Sequence, residues 1–490
     1  MLEIGINELI IDCDSYKASH FLQYPVGTTS MFDYFESRGG SYSHTLFYGL
    51  QMLIKKYLTI RVTKEMVDEA NAFITAHGEP FPYDGWMHIV NDLDGKLPIR
   101  IRAVPEGTLV PVSNALYTVE ATDPEVYWIV SWLETMLVRL WYPCTVATRS
   151  YFIKKMIMES LMRSADNPDA EISFKLHDFG ARGSTSRESA EIGGSAHLVN
   201  FMGSDTLIGI RGAYKYYNEP MAAFSIPASE HSTITSWGRE NEAEAYRNML
   251  KQFANPGALV AIVSDSYDLY NAITNIWGEE LRQEVIDSGA TIIIRPDSGN
   301  PPEVVLKSLQ LLEEKFGSTK NRKGYRVLNN VRVIQGDGIN EDSIREILNV
   351  VMDAGFSTSN VNFGMGGGLL QQLDRDTAKF AFKCSSITVN GEQREVMKDP
   401  ITDSGKRSKP GRLDLITYGE ERVPGDKRFA TVRLVDDATA FEASAMRTVF
   451  ENGELLVDDT FEAIRERAST QVLGVYTGTE ADDIVAESAF

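Results

Sequence analysis

The chain has 490 residues, with 48 Lys and Arg against 69 Asp and Glu, for a formal charge of −21. That acidic balance argues against a nucleic acid or an anionic membrane surface as partner, because both are held by clustered cations. With 43% hydrophobic residues, 24% charged residues and only 18 prolines, the composition is that of a globular protein with a large core and excludes a disordered or collagen-like chain.

The first residues, MLEIGINELIIDCDSYK, carry acids within their apolar part and lack a basic start, so they do not read as a secretory signal. Cys13, Cys144 and Cys384 lie far apart and form no CxxC pair. They predict neither a zinc site nor a disulfide framework, and a reducing cytoplasm as the compartment. Asp94-Gly95 followed by LPIRIRAVPEG predicts strands within the first 145 residues. The longest apolar-rich run, Val126 to Pro143, is interrupted by Glu134 and Arg139 and predicts a buried amphipathic helix rather than a membrane span.

From about residue 170 to 385, short apolar runs end in polar or glycine clusters, and a helical pattern follows each. The runs are ISFKLHDFG, LVAIVSDSYD, ATIIIRPDSGN, VRVIQGDGI, NVNFGMGGG and KFAFKCS. Their interiors are apolar on consecutive residues, which suits strands covered on both faces. Asp265, Asp297, Asp337 and Gly366 are 32, 40 and 29 residues apart, room for a strand, a helix and two loops. Such alternation implies a parallel sheet. Pro301 and Pro302 predict a helix start ahead of VVLKSLQLLEEKF, and WGRENEAEAYRNMLKQF shows the same helical spacing. In the tail, Asn390-Gly391 and Asn452-Gly453 predict antiparallel hairpins. The expected architecture is α/β. Residues 1–148 and 386–490 form a discontinuous β-rich α+β domain, and residues 149–385 form a parallel α/β barrel.

A parallel barrel gathers the C-terminal ends of its strands at one mouth. Those ends carry His177 and Asp178, Asp265, Arg295 and Asp297, Asp337, Gly366 to Gly368, and Lys383. Carboxylates, cations and bare backbone together suit a phosphorylated sugar, although an isolated aspartate at such a position is at home as a helix N-cap. Gly364-Met365-Gly366-Gly367-Gly368, ahead of the apparent helix LLQQLDRDTAKF, offers backbone N–H groups to a phosphate, or else forms a tight strand-to-helix turn. Arg375 and Lys383 could add charge for a terminal phosphate. No GxxxxGK[ST] loop, HExxH pair or Gly-x-Ser-x-Gly elbow occurs, and no metal site is indicated. His231 stands among small hydroxyl-bearing residues in SIPASEHSTITSWG, where a lone histidine can serve structure or chemistry. Asp265 and Asp297 leave open a barrel glycosidase with paired carboxylates, and a ligand-binding module without catalysis is a third class.

These residues fall within motifs that resemble the nicotinamide phosphoribosyltransferases of the type II phosphoribosyltransferase family. The motifs are DSYKASH at 14 to 20, YFESR at 34 to 38, KLHDFGARG at 175 to 183, SAHLVNFMGSDT at 195 to 206, PASEHSTITSWG, VSDSYDLYNA, IIRPDSGNP, VIQGDG, FGMGGGLLQ, FKCS and KDPITDSGKRSK. The resemblance runs in order from residue 12 to about 412. It implies an α/β barrel with a β-rich domain drawn from both termini, working as a homodimer with shared active sites. The implied reaction joins nicotinamide to 5-phosphoribosyl 1-pyrophosphate, giving nicotinamide mononucleotide and pyrophosphate in NAD salvage. Mg²⁺ would accompany the pyrophosphate substrate, and ATP would stimulate the reaction through a phosphohistidine.

By the same resemblance, Phe179 and Tyr16 of the partner subunit would stack on the two faces of the pyridine. Asp205 would accept a hydrogen bond from the carboxamide N–H₂ and repel the carboxylate of nicotinate, with Arg295 also in this pocket. Arg182, Arg295 and His231 match pyrophosphate contacts, and His231 matches the histidine that ATP phosphorylates. Asp297 would hold ribose hydroxyls or the developing ring charge, with Asp265 beside it. Gly336, Asp337, Gly366, Gly367 and Arg375 match ribose and 5′-phosphate contacts, and Arg38, Lys383 and Lys406 match phosphate-lining cations. Met365 stands where a smaller residue is usual, and Ala181 replaces an aromatic. A nicotinate phosphoribosyltransferase on the same fold is the alternative.

Overall fold

The apolar runs Leu259–Val263 and Thr291–Arg295 pair in parallel along their whole length, Leu259 opposite Thr291 and Val263 opposite Arg295. In the computed structural model, which describes residues 8–402, 407–419, 427–434 and 443–471, they form one edge of a six-stranded parallel sheet. Its order is Gly203–Ser204, Leu176–Asp178, Val361–Met365, Val331–Gln335, Thr291–Arg295 and Leu259–Val263. The sheet curls, and one extended segment joins its two edges. Phe224 N–H donates to Met202 O at 2.8 Å on one side, and Ala261 N–H donates to Pro227 O at 3.0 Å on the other. Ala261, Ile293 and Ile334 point inward as a small apolar cluster, against which Phe179 and Ile226 pack.

The helices that cover this sheet start and stop for local reasons. Pro301–Phe316 opens with two prolines whose missing N–H groups a first helical turn does not need. Glu341–Asp353 is capped by Asn340, whose side chain accepts from the N–H groups of Asp342 and Ser343. It buries Ile344, Ile347, Leu348, Val351 and Met352, a stripe at helical spacing. WGRENEAEAYRNMLKQF is helical over Glu242–Phe253 after a single 3₁₀ turn.

Two compact units divide the chain. One holds Arg149–Tyr214 and Pro220–Leu373, with the parallel sheet. The other comprises Met1–Thr148, Lys215–Glu219 and Asp374–Phe490 and is built on a seven-stranded antiparallel sheet. There Asn390 and Gly391, with φ of 53° and 80°, turn the chain between Phe380–Val389 and Glu392–Glu395. Asn452 and Gly453, at 47° and 81°, do the same between Arg447–Glu451 and Glu454–Leu455. Both pairs have the double positive φ of the tight hairpin turn that Asn-Gly favours.

Three sequence expectations change. The run KFAFKCS is not a barrel strand: it lies in Phe380–Val389, which pairs antiparallel with Thr28–Ser37, so the barrel unit ends at Leu373 rather than at residue 385. A strand inside a sheet covered on both faces is apolar throughout whichever way its neighbours run, so hydropathy did not separate the two cases. LLQQLDRDTAKF is not one helix. It contains the end of the one-turn helix Gly367–Leu370 and the 3₁₀ turn Arg375–Thr377, which Asp374 starts by accepting from Thr377 N–H. The Val126 to Pro143 run is likewise broken, into Ile129–Val138 and the start of Trp141–Ser164, since Pro143 has no N–H to continue a helix from above. Among the described residues no helix is long and apolar enough to cross a membrane.

The antiparallel unit packs Trp86 edge to face against Trp128 and Trp132, which are tilted against each other, with ring centroids 5.4 to 5.5 Å apart. Trp86 is fully buried. Trp86→Ala should therefore cost about 3–5 kcal/mol in denaturant unfolding followed by circular dichroism, whereas Val26→Ala, at a 94% exposed position, should change stability by less than about 0.5 kcal/mol.

Candidate active site

The strand Leu176–Asp178 delivers Phe179 to the mouth of the sheet, where its N–H donates to Met365 O at 3.0 Å. The ring occupies space that only glycine leaves open. A Cβ on Gly364 would stand 1.9 Å from Phe179 Cε2, and one on Gly336 would stand 3.4 Å away. Asp205 follows the strand Gly203–Ser204, with its N–H donating to Asp178 O at 3.0 Å. Its Oδ1 accepts from the Ser225 hydroxyl at 2.6 Å, so the segment that joins the sheet edges also orients this carboxylate.

Phe179, Asp205, Ala228, Ala261 and Ile334 are shared by two cavities. One, about 890 Å³, lies at the mouth and is also lined by Arg182, His231, Arg295, Asp297, Gly336, Asp337, Gly366 and Gly367. The other, about 650 Å³, lies in the barrel interior among apolar groups such as Phe224, Ile226, Leu259 and Ile293. An aromatic platform thus sits between a polar mouth and an apolar bore.

Asp265 ties the mouth together. Its Oδ1 is 2.9 Å from His231 Nε2, and its Oδ2 accepts from Asp297 N–H at 2.9 Å and from the Ser298 hydroxyl at 2.7 Å. Burial pushes this carboxyl upward, but the Ser298, His231 and Asp297 donors outweigh it and hold it below the ordinary carboxylate range. Arg295 faces Asp297 at the end of the neighbouring strand, with Nη2 3.0 Å from Oδ2. His231 begins the short helix His231–Thr235, with half its side chain exposed. Gly366 and Gly367 present bare backbone to the cavity, and a Cβ on Gly367 would meet nothing within 4 Å. The helix after them is only one turn long.

The remaining sequence candidates belong to the antiparallel unit. Tyr16 is 57% exposed. Arg38, Arg375 and Lys383 lie near one another there with Lys398, which the sequence reading passed over because a lysine ahead of Asp-Pro resembles any surface lysine. Burial and these three cations hold the Lys383 ammonium below its usual range, against the pull of Glu134. Lys406 lies outside the described residues. Sequence reasoning also missed Ser225 and Ser298, which act by orienting acids, and Glu230, whose carboxylate accepts from the Ser232 hydroxyl at the start of the His231 helix. No local pattern marks the two serines, because each meets its acid across the fold.

The family model of the nicotinate phosphoribosyltransferase (NAPRTase) family matches residues 174–454, and that of the nicotinamide phosphoribosyltransferase N-terminal domain matches residues 8–101. The chain is 55% identical over 463 residues to a nicotinamide phosphoribosyltransferase of Xanthomonas campestris pv. campestris, covering 94% of this chain and 98% of that one. It is 31% identical over 499 residues to a nicotinamide phosphoribosyltransferase of Acinetobacter baylyi, covering 94% and 96%. Among solved structures it is similar in fold to a nicotinate-nucleotide pyrophosphorylase from Pyrococcus furiosus, with TM-score 0.60, 15% identity and coverage of 96% and 97%. The human nicotinic acid phosphoribosyltransferase is also similar, with TM-score 0.55, 15% identity and coverage of 97% and 99%.

Beneath Phe179 and Asp205, Asp178 is fully buried, with Oδ1 accepting from Gly180 N–H at 2.7 Å, Oδ2 without a close hydrogen-bond partner among the described residues, and the Thr206 hydroxyl acting on the same carboxyl. Burial pushes its carboxyl from 3.8 to about 6. A raised folded value means the acid favours folding while protonated and loses that advantage as pH rises through the folded value. Asp178→Asn should therefore match the natural chain below about pH 4 and be more stable by about 2–3 kcal/mol above pH 7, read from thermal or denaturant unfolding across pH.

Proposed function

Because the chain belongs to the nicotinate phosphoribosyltransferase family, we propose that its mouth cavity joins nicotinamide to 5-phosphoribosyl 1-pyrophosphate, releasing pyrophosphate and forming nicotinamide mononucleotide. One observation carries the reading at the level of residues. Phe179 and Asp205, suited to a flat amide, line the same cavity as Arg182, Arg295, Asp297 and the glycine backbone, suited to a phosphorylated sugar.

The pyridine nitrogen attacks the anomeric carbon, and the electron pair of the breaking C–O bond leaves with pyrophosphate. Positive charge grows on the ribosyl ring as the bond lengthens. Asp297 stabilises that charge and Arg182 and Arg295 receive the departing anion, interactions that strengthen toward the transition state. Phe179 holds the weak nucleophile flat and in line. Asp205 keeps one oxygen on Ser225 and offers the other to the carboxamide N–H₂. A nicotinate carboxylate in that place would meet a like charge.

Asp297 and Asp337 line the cavity and are oxygen donors hard enough to hold Mg²⁺, which would supply counter-charge to the pyrophosphate oxygens. ATP enters through His231. With Nε2 engaged by Asp265, Nδ1 is the nitrogen that attacks the γ-phosphorus of ATP as the bond to ADP breaks, and water later releases phosphate. A second copy of the chain completes the site. It brings Tyr16 to the open face of the pyridine and the cations Arg38, Arg375, Lys383 and Lys398 to the phosphates. The unpaired cysteines Cys13, Cys144 and Cys384 suit a reducing cytoplasm.

Purified protein given nicotinamide, 5-phosphoribosyl 1-pyrophosphate and Mg²⁺ should release pyrophosphate and the mononucleotide, faster with ATP; absence of product under both conditions rejects the reading. His231→Ala should remove the ATP stimulation, and stimulation that survives places the ATP step elsewhere.

Asp205→Ala should lower the kcat/KM preference for nicotinamide over nicotinate on the order of tenfold or more, by removing both an acceptor and a repulsion. A preference that does not move shows another group to be the selector.

A further inference from the structure

Within the antiparallel unit, the strand Thr28–Ser37 buries a carboxylate that the proposed chemistry does not use. Glu36 has a side chain only 2% exposed. Its strand neighbours are Ala381 on one side and Ala115 on the other, small residues that leave room for longer groups to reach it. Two cations do so. Arg38 Nε lies 2.6 Å from Oε1, and Lys409 Nζ pairs with Oε2. Lys409 is itself fixed, its backbone N–H donating to the Tyr34 hydroxyl at 2.9 Å and its ammonium standing 5.7 Å from the Tyr34 ring centre.

A buried carboxylate requires compensation, and one cation would suffice. With two, the group keeps an excess positive charge, and the way Arg38 is held shows where that charge is directed. Glu36 engages the guanidinium at Nε, and the Tyr34 hydroxyl is a second hydrogen-bond partner of the same side chain. Nη2 is shielded from solvent yet has no hydrogen-bond partner among the described residues. A guanidinium pinned through Nε keeps its Nη edge for a second, forked contact, the geometry that suits phosphate oxygens. Lys383, Lys398 and Arg375 gather near by, so that edge belongs to a cluster of like charge that an anion would relieve.

We propose that Glu36 is a positioning residue for phosphate binding. It locks the Arg38 side chain so that its Nη edge is preset for a phosphate or pyrophosphate oxyanion, with Lys409 balancing the second carboxylate oxygen. The proposal rests on the reading of Arg38 as a phosphate-lining residue and adds the group that orients it. Fixing a rotamer-rich side chain beforehand spares the ordering cost at binding, so the effect belongs to the phosphorylated substrate and not to the pyridine.

The test compares Glu36→Gln, Glu36→Asp and Arg38→Ala in the purified full chain, with KM for each substrate, kcat, and thermal unfolding. Glu36→Gln should raise KM for 5-phosphoribosyl 1-pyrophosphate about tenfold, as expected for loss of a charge-assisted contact, and leave KM for nicotinamide within about twofold. Glu36→Asp keeps the charge with a shorter reach and should recover part of the loss. If Glu36→Gln does not fold, Glu36→Asp decides: a KM for the phosphorylated substrate raised about threefold supports the proposal, and an unchanged one overturns it. Equal rises in both KM values would mark a structural role and also overturn it. Arg38→Ala separates the two layers. If it raises KM for the phosphorylated substrate while both Glu36 variants do not, only the positioning role fails; if it too changes nothing, the assignment of Arg38 fails with it.

Discussion

The mouth of the barrel depends on one carboxylate that accepts from three directions. Asp265, after the strand Leu259–Val263, holds a histidine at the start of a short helix and the backbone N–H of Asp297 and hydroxyl of Ser298 from the loop after the next strand. Parallel strands place such residues a few ångströms apart, because neighbouring strands end at the same level of the sheet. The donors stabilise its negative charge against burial, which keeps it an acceptor and fixes the tilt of His231. Arg295 and Asp297 then face each other at the end of the next strand, a cation and an anion held within 3.0 Å.

The other half of the mouth is organised by packing. Phe179 lies where three glycines, Gly336, Gly364 and Gly366, let the backbone approach it. Part of the glycine-rich loop therefore serves the aromatic ring, and only its later residues face the cavity as bare backbone. The segment joining the sheet edges carries Ser225 to Asp205, so barrel closure and the orientation of this carboxylate are coupled through a hydrogen bond.

Net charge and local charge point in opposite directions. The chain as a whole carries −21, yet Arg38, Lys383, Lys398 and Arg375 gather within the antiparallel unit. Screening confines each field to about 8–10 Å at physiological salt. A distant acidic surface therefore does not cancel a cluster of cations that share a partly buried face, and composition alone rejects polyanions only as partners of the whole surface.

Much of the barrel was legible in the sequence because its information is local. Apolar runs of five residues, Pro301 at a helix start and Asn-Gly at two hairpins each obey a rule that operates over a few residues. The residues that end those runs were legible too, since a strand's C-terminal end in a parallel sheet is a place as well as a sequence position. KFAFKCS was misassigned because burial on both faces leaves the same apolar signature in either kind of sheet, and LLQQLDRDTAKF because spacing says nothing of where the chain must leave one unit for the other. The partners of Asp205, Asp265 and Arg38 were invisible for the same reason. Ser225, Ser298 and Glu36 gain their meaning only from which atoms lie within hydrogen-bond reach, and that distance is set by tertiary packing and leaves no pattern along the chain.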